Sequence, residues 1–300
     1  MKTQFASVSL LRRAARLLSG LPLLLWLAAG CGEAPAPASD KLTVVVSILP
    51  QVWFVEQIGG DLVDVTAMVG PGHSPATYEP TPRQLARLQT ADIYFSIGVP
   101  FERGLLPKVA DLPDAPPVAG PRPDMGAHDH GHAHGALDPH SWLSPQRAQA
   151  LADTLTARLT TLRPDRAVDL AARRADLGRR LTDLDAELQA LLAPVAGRSF
   201  FVFHPAFGHF AEAYGLHQVA VEDDGHEPGP RQMAALIDQA AREGATAIVI
   251  QPQFSRKSAA TVADAAGLEI VELDPLGADY PANLRHIART LVRILEGSAP

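Results

Sequence analysis

The 300-residue chain predicts an α/β fold: two lobes, each a parallel sheet with crossover helices, related by an internal repeat and joined by a long rigid spine helix. Three observations carry this. Seven short runs are rich in β-branched residues and nearly continuously apolar, as strands covered on both faces should be: 42–48, 62–68, 92–97, 199–203, 217–222, 246–251 and 268–273. Helix-length stretches separate them, which favours parallel pairing. The chain also repeats itself: EPTPRQLARL at 79–88 and EPGPRQMAAL at 227–236 agree at seven of ten positions. Each copy sets a proline at a first helical position, where its fixed φ and missing N–H are no cost, and each leads into a β-like run.

Taken in order, the N-terminus reads as an export segment over 1–30. Lys2, Arg12, Arg13 and Arg16 precede an apolar run from Leu17 to Ala29 that is too short to span a membrane comfortably. It ends in LAAGCG, and Cys31 is the sole cysteine. That is the pattern of a bacterial lipoprotein signal, with Cys31 the expected lipidation site; an ordinary secretory signal or a retained anchor is the alternative. The Pro/Ala run to residue 40 is a stiff polar tether. Removing the four basic residues moves the formal charge from −7 to −11, with 22 Lys and Arg against 33 Asp and Glu. An acidic body argues against nucleic-acid binding and suits attraction of cations. With one cysteine there is neither an intramolecular disulfide nor a thiolate metal site, so any metal falls to His and carboxylates.

The first lobe is expected over 41–163 and contains a His-rich loop at 126–137. The segment HDHGHAHGALDPH (128–140) holds five of the eleven histidines, and set in Gly and Ala it buries too little apolar area to order itself. Neutral imidazoles are good ligands for zinc-type ions, so His128, His130, His132 and His134 are candidate weak sites on a flexible loop. A solvated linker is the alternative. A helix at 145–162 follows. The spine occupies 164–193: Pro164 opens it, and Leu177, Leu181, Leu184, Leu188 and Leu191 form one apolar stripe. To Leu192 it would run roughly 43 Å. The second lobe, 194–300, closes with a helix at 279–295.

Ligands of open α/β sheets bind beyond the carboxyl ends of strands. His204 directly follows SFFVF, Asp274 directly follows LEIVEL, His73 lies in the loop after LVDVTAMV, and His140 sits in DPHSWLSP ahead of the 145–162 helix. These four, from both lobes, are the candidate metal ligands of one cleft. Singly, each has an ordinary reading as a hydrogen-bonded loop residue or a turn former. Asp138 is either a hydrogen-bond partner of a ligand imidazole or a turn cap. His209, five residues beyond His204 on a helix, points about 140° away from it. The acidic EDDGHE (222–227) reads as a solvated loop or a second site, and His217 and His286 as structural or exposed.

The motifs TYEPTPRQL (77–85), DPHSWLSP (138–145), FFVFHPAFGHFAEAYGL (200–216), EPGPRQM (227–233), IQPQFS (250–255) and LDPLGADY (273–280) are together similar to those of the periplasmic or lipid-anchored solute receptors for zinc and manganese that feed ABC-type importers. The likeness covers essentially the whole chain. It implies an interlobe site built from three loop histidines plus a carboxylate or water, with His140, His204 and Asp274 carried over by motif. It implies Zn²⁺ as the transported ligand, since manganese receptors more often carry Glu where this chain has His204. The chain departs from the pattern at Ala76, where the family commonly has His. His73, three residues upstream, is expected to supply that ligand; a water, a tract imidazole or Glu79 is the substitute.

The resemblance implies a non-enzymatic, monomeric receptor. It would be extracytoplasmic, lipid-anchored to a bacterial membrane, and partnered by the permease and ATPase of a metal importer. The rivals are a manganese or iron receptor on the same scaffold, a zinc-buffering or adhesin lipoprotein, and a zinc hydrolase. No HExxH-type general base accompanies the histidines, which counts against the last.

Overall fold

The computed structural model describes residues 41–111, 115–120, 138–222 and 229–297. The export segment with Cys31, the histidines at 128, 130, 132 and 134, and residues 223–228 lie outside them.

Two all-parallel sheets of four strands appear. The first contains β1 (Leu42–Val46), β2 (Val63–Ala67), β3 (Ile93–Phe95) and β4 (Val118–Ala119), in the order β2-β1-β3-β4. The second contains β5 (Ser199–Val202), β6 (His217–Ala220), β7 (Ala247–Ile250) and β8 (Glu269–Glu272), in the order β6-β5-β7-β8. The two orders are the same, second-first-third-fourth, so the sequence repeat marks a repeated fold. In both, the chain steps outward from the first strand and returns on its other side. That reversal opens a crevice at the carboxyl ends of the first and third strands, where such sheets bind ligands. The observed strands are one to three residues shorter than the apolar runs. The two-residue β4, paired to β3 through Tyr94↔Val118 and Phe95↔Ala119, has no counterpart among the runs.

Helices cover the sheets. The first half has α1 (Leu49–Gly59), α2 (Pro82–Gln89), α3 (Pro100–Ala110) and α4 (Pro145–Leu162). Next comes α5 (Ala167–Leu192), then α6 (Gly208–Ala213), α7 (Pro230–Arg242), α8 (Arg256–Ala266) and α9 (Tyr280–Glu296). The repeat motifs begin α2 and α7. Thr81 caps α2 by accepting the Gln84 N–H, and Gln84 reaches back to the Thr81 N–H and on to the Met68 carbonyl at 2.7 Å. Gln232 makes the corresponding reach to the Gly229 N–H in α7.

Pro164 opens a single 3₁₀ turn, so α5 begins three residues later than expected. Its 26 residues give about 39 Å at 1.5 Å per residue. Leu170, Leu177, Leu181, Leu184, Leu188 and Leu192 are buried, while Leu191 is only half-buried. The stripe therefore ends on Leu192, because the helix drifts about 20° per heptad relative to a strict seven-residue repeat. This helix packs against α1 and α4 of the first half and α9 of the second. One contiguous core accordingly runs from Val44 and Phe95 through the leucine stripe to Phe200, Val249 and Leu291. Trp53 and Phe54 of α1 also meet Tyr280 of α9 directly, at 5.2 and 4.7 Å between ring centroids. A second cluster, Phe201, Phe203, Ile248, Ile250 and Val262, fills the other face of the second sheet. No helix among the described residues is long and apolar enough to cross a membrane.

Candidate metal centre

The crevice of the second sheet holds His204, immediately beyond β5. Its backbone is clamped by Gln251, the residue just after β7: the Gln251 oxygen accepts the His204 N–H at 3.4 Å and its amide donates to the His204 carbonyl at 2.6 Å. Gln251 is fully buried, so these two bonds replace water at an otherwise dry position. The imidazole stacks on Phe254 with centroids 4.8 Å apart. Its Nδ1 bonds the carboxylate of Glu222, a buried residue that follows β6. A carboxylate only accepts, so Nδ1 carries the proton and the lone pair is left on Nε2.

His140 is built the same way from different parts. Asp138 accepts both the His140 N–H at 2.9 Å and the ring Nδ1–H at 2.6 Å, which again leaves Nε2 with its lone pair. Burial pushes the Asp138 carboxyl up, but the adjoining His140, with His209 behind it, prevails and holds it down to about 2. Asp138 is thus both turn cap and imidazole partner. Trp142 lies 5.2 Å from the His140 ring, its Nε1 donates to the Pro275 carbonyl at 2.8 Å, and Tyr280 donates to the Trp142 carbonyl at 2.7 Å. The DPHSW segment is therefore fastened to the second half.

The two rings stand 5.5 Å apart, centroid to centroid, inclined at 74°. A Zn–N bond of about 2.0–2.1 Å, plus roughly 1.2 Å from nitrogen to ring centre, puts two tetrahedrally disposed imidazole centres about 5 Å apart. Two rings at this spacing, each with its Nδ1 held by a carboxylate, match the carboxylate–histidine–metal arrangement.

Asp274 lies at the carboxyl end of β8. Its Oδ1 accepts from Gln253 at 2.8 Å and from the Leu276 N–H at 2.9 Å, and its carbonyl accepts from Asn283 at 2.7 Å. His73 occupies an exposed turn of the first half, its Nδ1 within 3.1 Å of the Pro71 carbonyl and its ring edge-on to Tyr78 at 6.1 Å. That loop is moored by Phe101 N–H to the Pro75 carbonyl at 3.2 Å and by the Tyr78 hydroxyl to Gln84 at 2.8 Å. The structure brings His140 and His204 together. Among the described residues no three of His, Cys, Asp and Glu are arranged to hold a metal by themselves.

Of the remaining residues, Glu222 is not part of a solvated acidic loop but a buried ring partner. His209 is buried and reaches Asp138, not His204. His217 and His286 are exposed. Gln251 and Phe254 carried no expected role; both lie in IQPQFS, just past a strand. The equivalent crevice of the first sheet is filled instead. Gln51 there accepts the N–H groups of Ser47 and Ile48 and donates to the Phe95 carbonyl, while Glu102 accepts from Ser47, Ile97 and Gly98. Burial raises the Glu102 carboxyl above its ordinary range.

Residues 44–294 match the family described as zinc-uptake complex component A, periplasmic. The high-affinity zinc uptake system protein ZnuA of Paracoccus denitrificans (strain Pd 1222) is 31% identical over 299 residues, covering 85% of this chain and 90% of that protein. The zinc-binding lipoprotein AdcA of Streptococcus pneumoniae (strain ATCC BAA-255 / R6) is 30% identical over 255 residues, covering 80% of this chain and 51% of its own. The chain thus spans about half the length of the AdcA relatives it matches. A ZnuA crystal structure superposes with a TM-score of 0.80 at 36% identity, over 85% of this chain and 100% of that one. A zinc-bound ZnuA deletion mutant gives 0.81 at 36%, over 87% and 100%. With the matched sheets, the spine helix and the paired imidazoles in place, the chain belongs to the family of zinc-uptake complex component A.

Proposed function

We propose that the protein is an extracytoplasmic zinc-binding receptor that passes Zn²⁺ to the permease and ATPase of an ABC-type importer. The observation that carries this is the pair His140 and His204, 5.5 Å apart, each presenting Nε2 because a buried carboxylate holds Nδ1. Asp274, just beyond β8, and His73, in the exposed turn after β2, are the proposed further ligands. Imidazole ligands favour zinc over manganese. The relatives named for zinc binding and zinc uptake support the same reading, as do periplasmic ZnuA and lipoprotein AdcA for location and for the anchor at Cys31. Asp138 and Glu222 are already committed as acceptors for ring N–H groups, which leaves neither as the general base a zinc hydrolase requires.

The test is a chelator-competition zinc titration of the full chain beside His140→Ala and His204→Ala. One tight site in the parent, absent from both variants while weaker tract binding persists, is the expected result. A tight site surviving both substitutions would overturn the reading.

A further inference from the structure

The His140 half of the site comes from the DPHSW segment ahead of α4, yet its partner His204 belongs to the second sheet. Something must hold the two in one frame. At its downstream end the segment is held by Trp142 to Pro275 and by Tyr280 to Trp142. At its upstream end the contact is His209, on α6, whose Nε2 lies 3.0 Å from the Asp138 carbonyl oxygen and 3.7 Å from Asp138 Oδ2. A carbonyl can only accept, so Nε2 carries a proton and donates. His209 is 5% exposed, and the bond is accordingly made in a dry setting. The neighbouring Gly208 gives the carboxylate its room: a Cβ there would stand 2.8 Å from Asp138 Oδ2. The first turn of α6 is thus shaped around Asp138, and Asp138 in turn accepts both the backbone N–H and the ring Nδ1–H of His140.

We infer that His209 is a positioning residue for zinc binding: by donating to the Asp138 backbone it fixes Asp138, and through it His140, against the half of the protein that carries His204. This rests on the proposed ligand roles of His140 and His204. His209 binds no metal in this scheme; it holds the segment in place from the far side of Asp138.

The experiment compares four full-length variants by zinc competition, by the visible d–d spectrum of the Co²⁺-loaded protein, and by thermal unfolding without metal. His209→Gln places an amide N–H where Nε2 stood and should bind zinc within about threefold of the parent. His209→Leu removes the donor, and His209→Asn keeps polarity but is too short to reach. Both should weaken zinc about tenfold, the low end of the range for removing a residue that orients a ligand, with an altered Co²⁺ spectrum. His140→Ala reports on the underlying site. Parent-like zinc binding by the Leu and Asn variants would overturn the inference, and so would a Gln variant as weak as they are, which would reduce His209 to packing. If His140→Ala retains the tight site, the ligand assignment falls and this inference with it; if it loses the site while Leu and Asn retain it, only the inference falls.

Discussion

At the residue scale the site depends on which imidazole nitrogen is free, and two acidic side chains decide that. Asp138→Ala and Glu222→Ala each release a ring and its tautomer, and each is expected to weaken zinc 10- to 100-fold by competition titration. His73→Ala should also weaken binding if the exposed turn supplies the ligand missing at Ala76; affinity unchanged from the parent would remove His73 from the site. Acid has a separate effect on Asp138. Its folded carboxyl sits at about 2, below the ordinary 3.8, so its contribution to stability is present above pH 3.8 and is lost as pH falls through about 2. Asp138→Asn should flatten that limb of a stability-versus-pH curve measured by urea unfolding without metal.

At the scale of the element, α5 joins the halves by packing against α1 and α4 on one side and α9 on the other. Leu181 is buried in the middle of the stripe, and Leu181→Ala should cost about 2–5 kcal/mol by denaturant unfolding. Thr81→Ala, which removes the α2 cap, should cost about 1 kcal/mol and leave the second half's site untouched. The same scale shows what a sequence can tell. Strands 42–46 and 247–250 were legible because both faces are covered and the runs stay apolar, and α5 because its leucines recur every three or four residues. The pair Val118–Ala119 was not, since two residues form a strand only where β3 offers an edge. His140 and His204 were legible from their place after a strand or before a helix. Glu222 and Gln251 were not: each meets His204 only because β6 and β7 flank β5, and that order is a property of the assembled sheet. His209 was read as pointing away from His204, but helical angles alone could not show that it turns toward Asp138.

For the whole molecule the shared core sets the cooperativity. Because Leu177, Leu184 and Leu188 lie in one cluster with strands of both sheets, unfolding without metal should follow a single transition. Zinc that binds only the folded chain should stabilise it by about 2.7 kcal/mol at one hundred times the dissociation constant, raising the unfolding midpoint with ligand concentration, and a chelator should reverse this. Calorimetry with and without metal checks both.

The helix that serves both sheets has one more consequence, for ancestry. A doubled fold usually keeps its halves as exchangeable parts, but here neither copy owns a complete interior: α5 and the Trp53–Tyr280 stack belong to both. Exchanging one half between two relatives would mismatch a whole face of leucines and aromatics at once. Neither half could therefore be replaced without matching changes in the other. The two copies already differ at their crevices: the first is filled by Gln51 and Glu102, and the second carries His204.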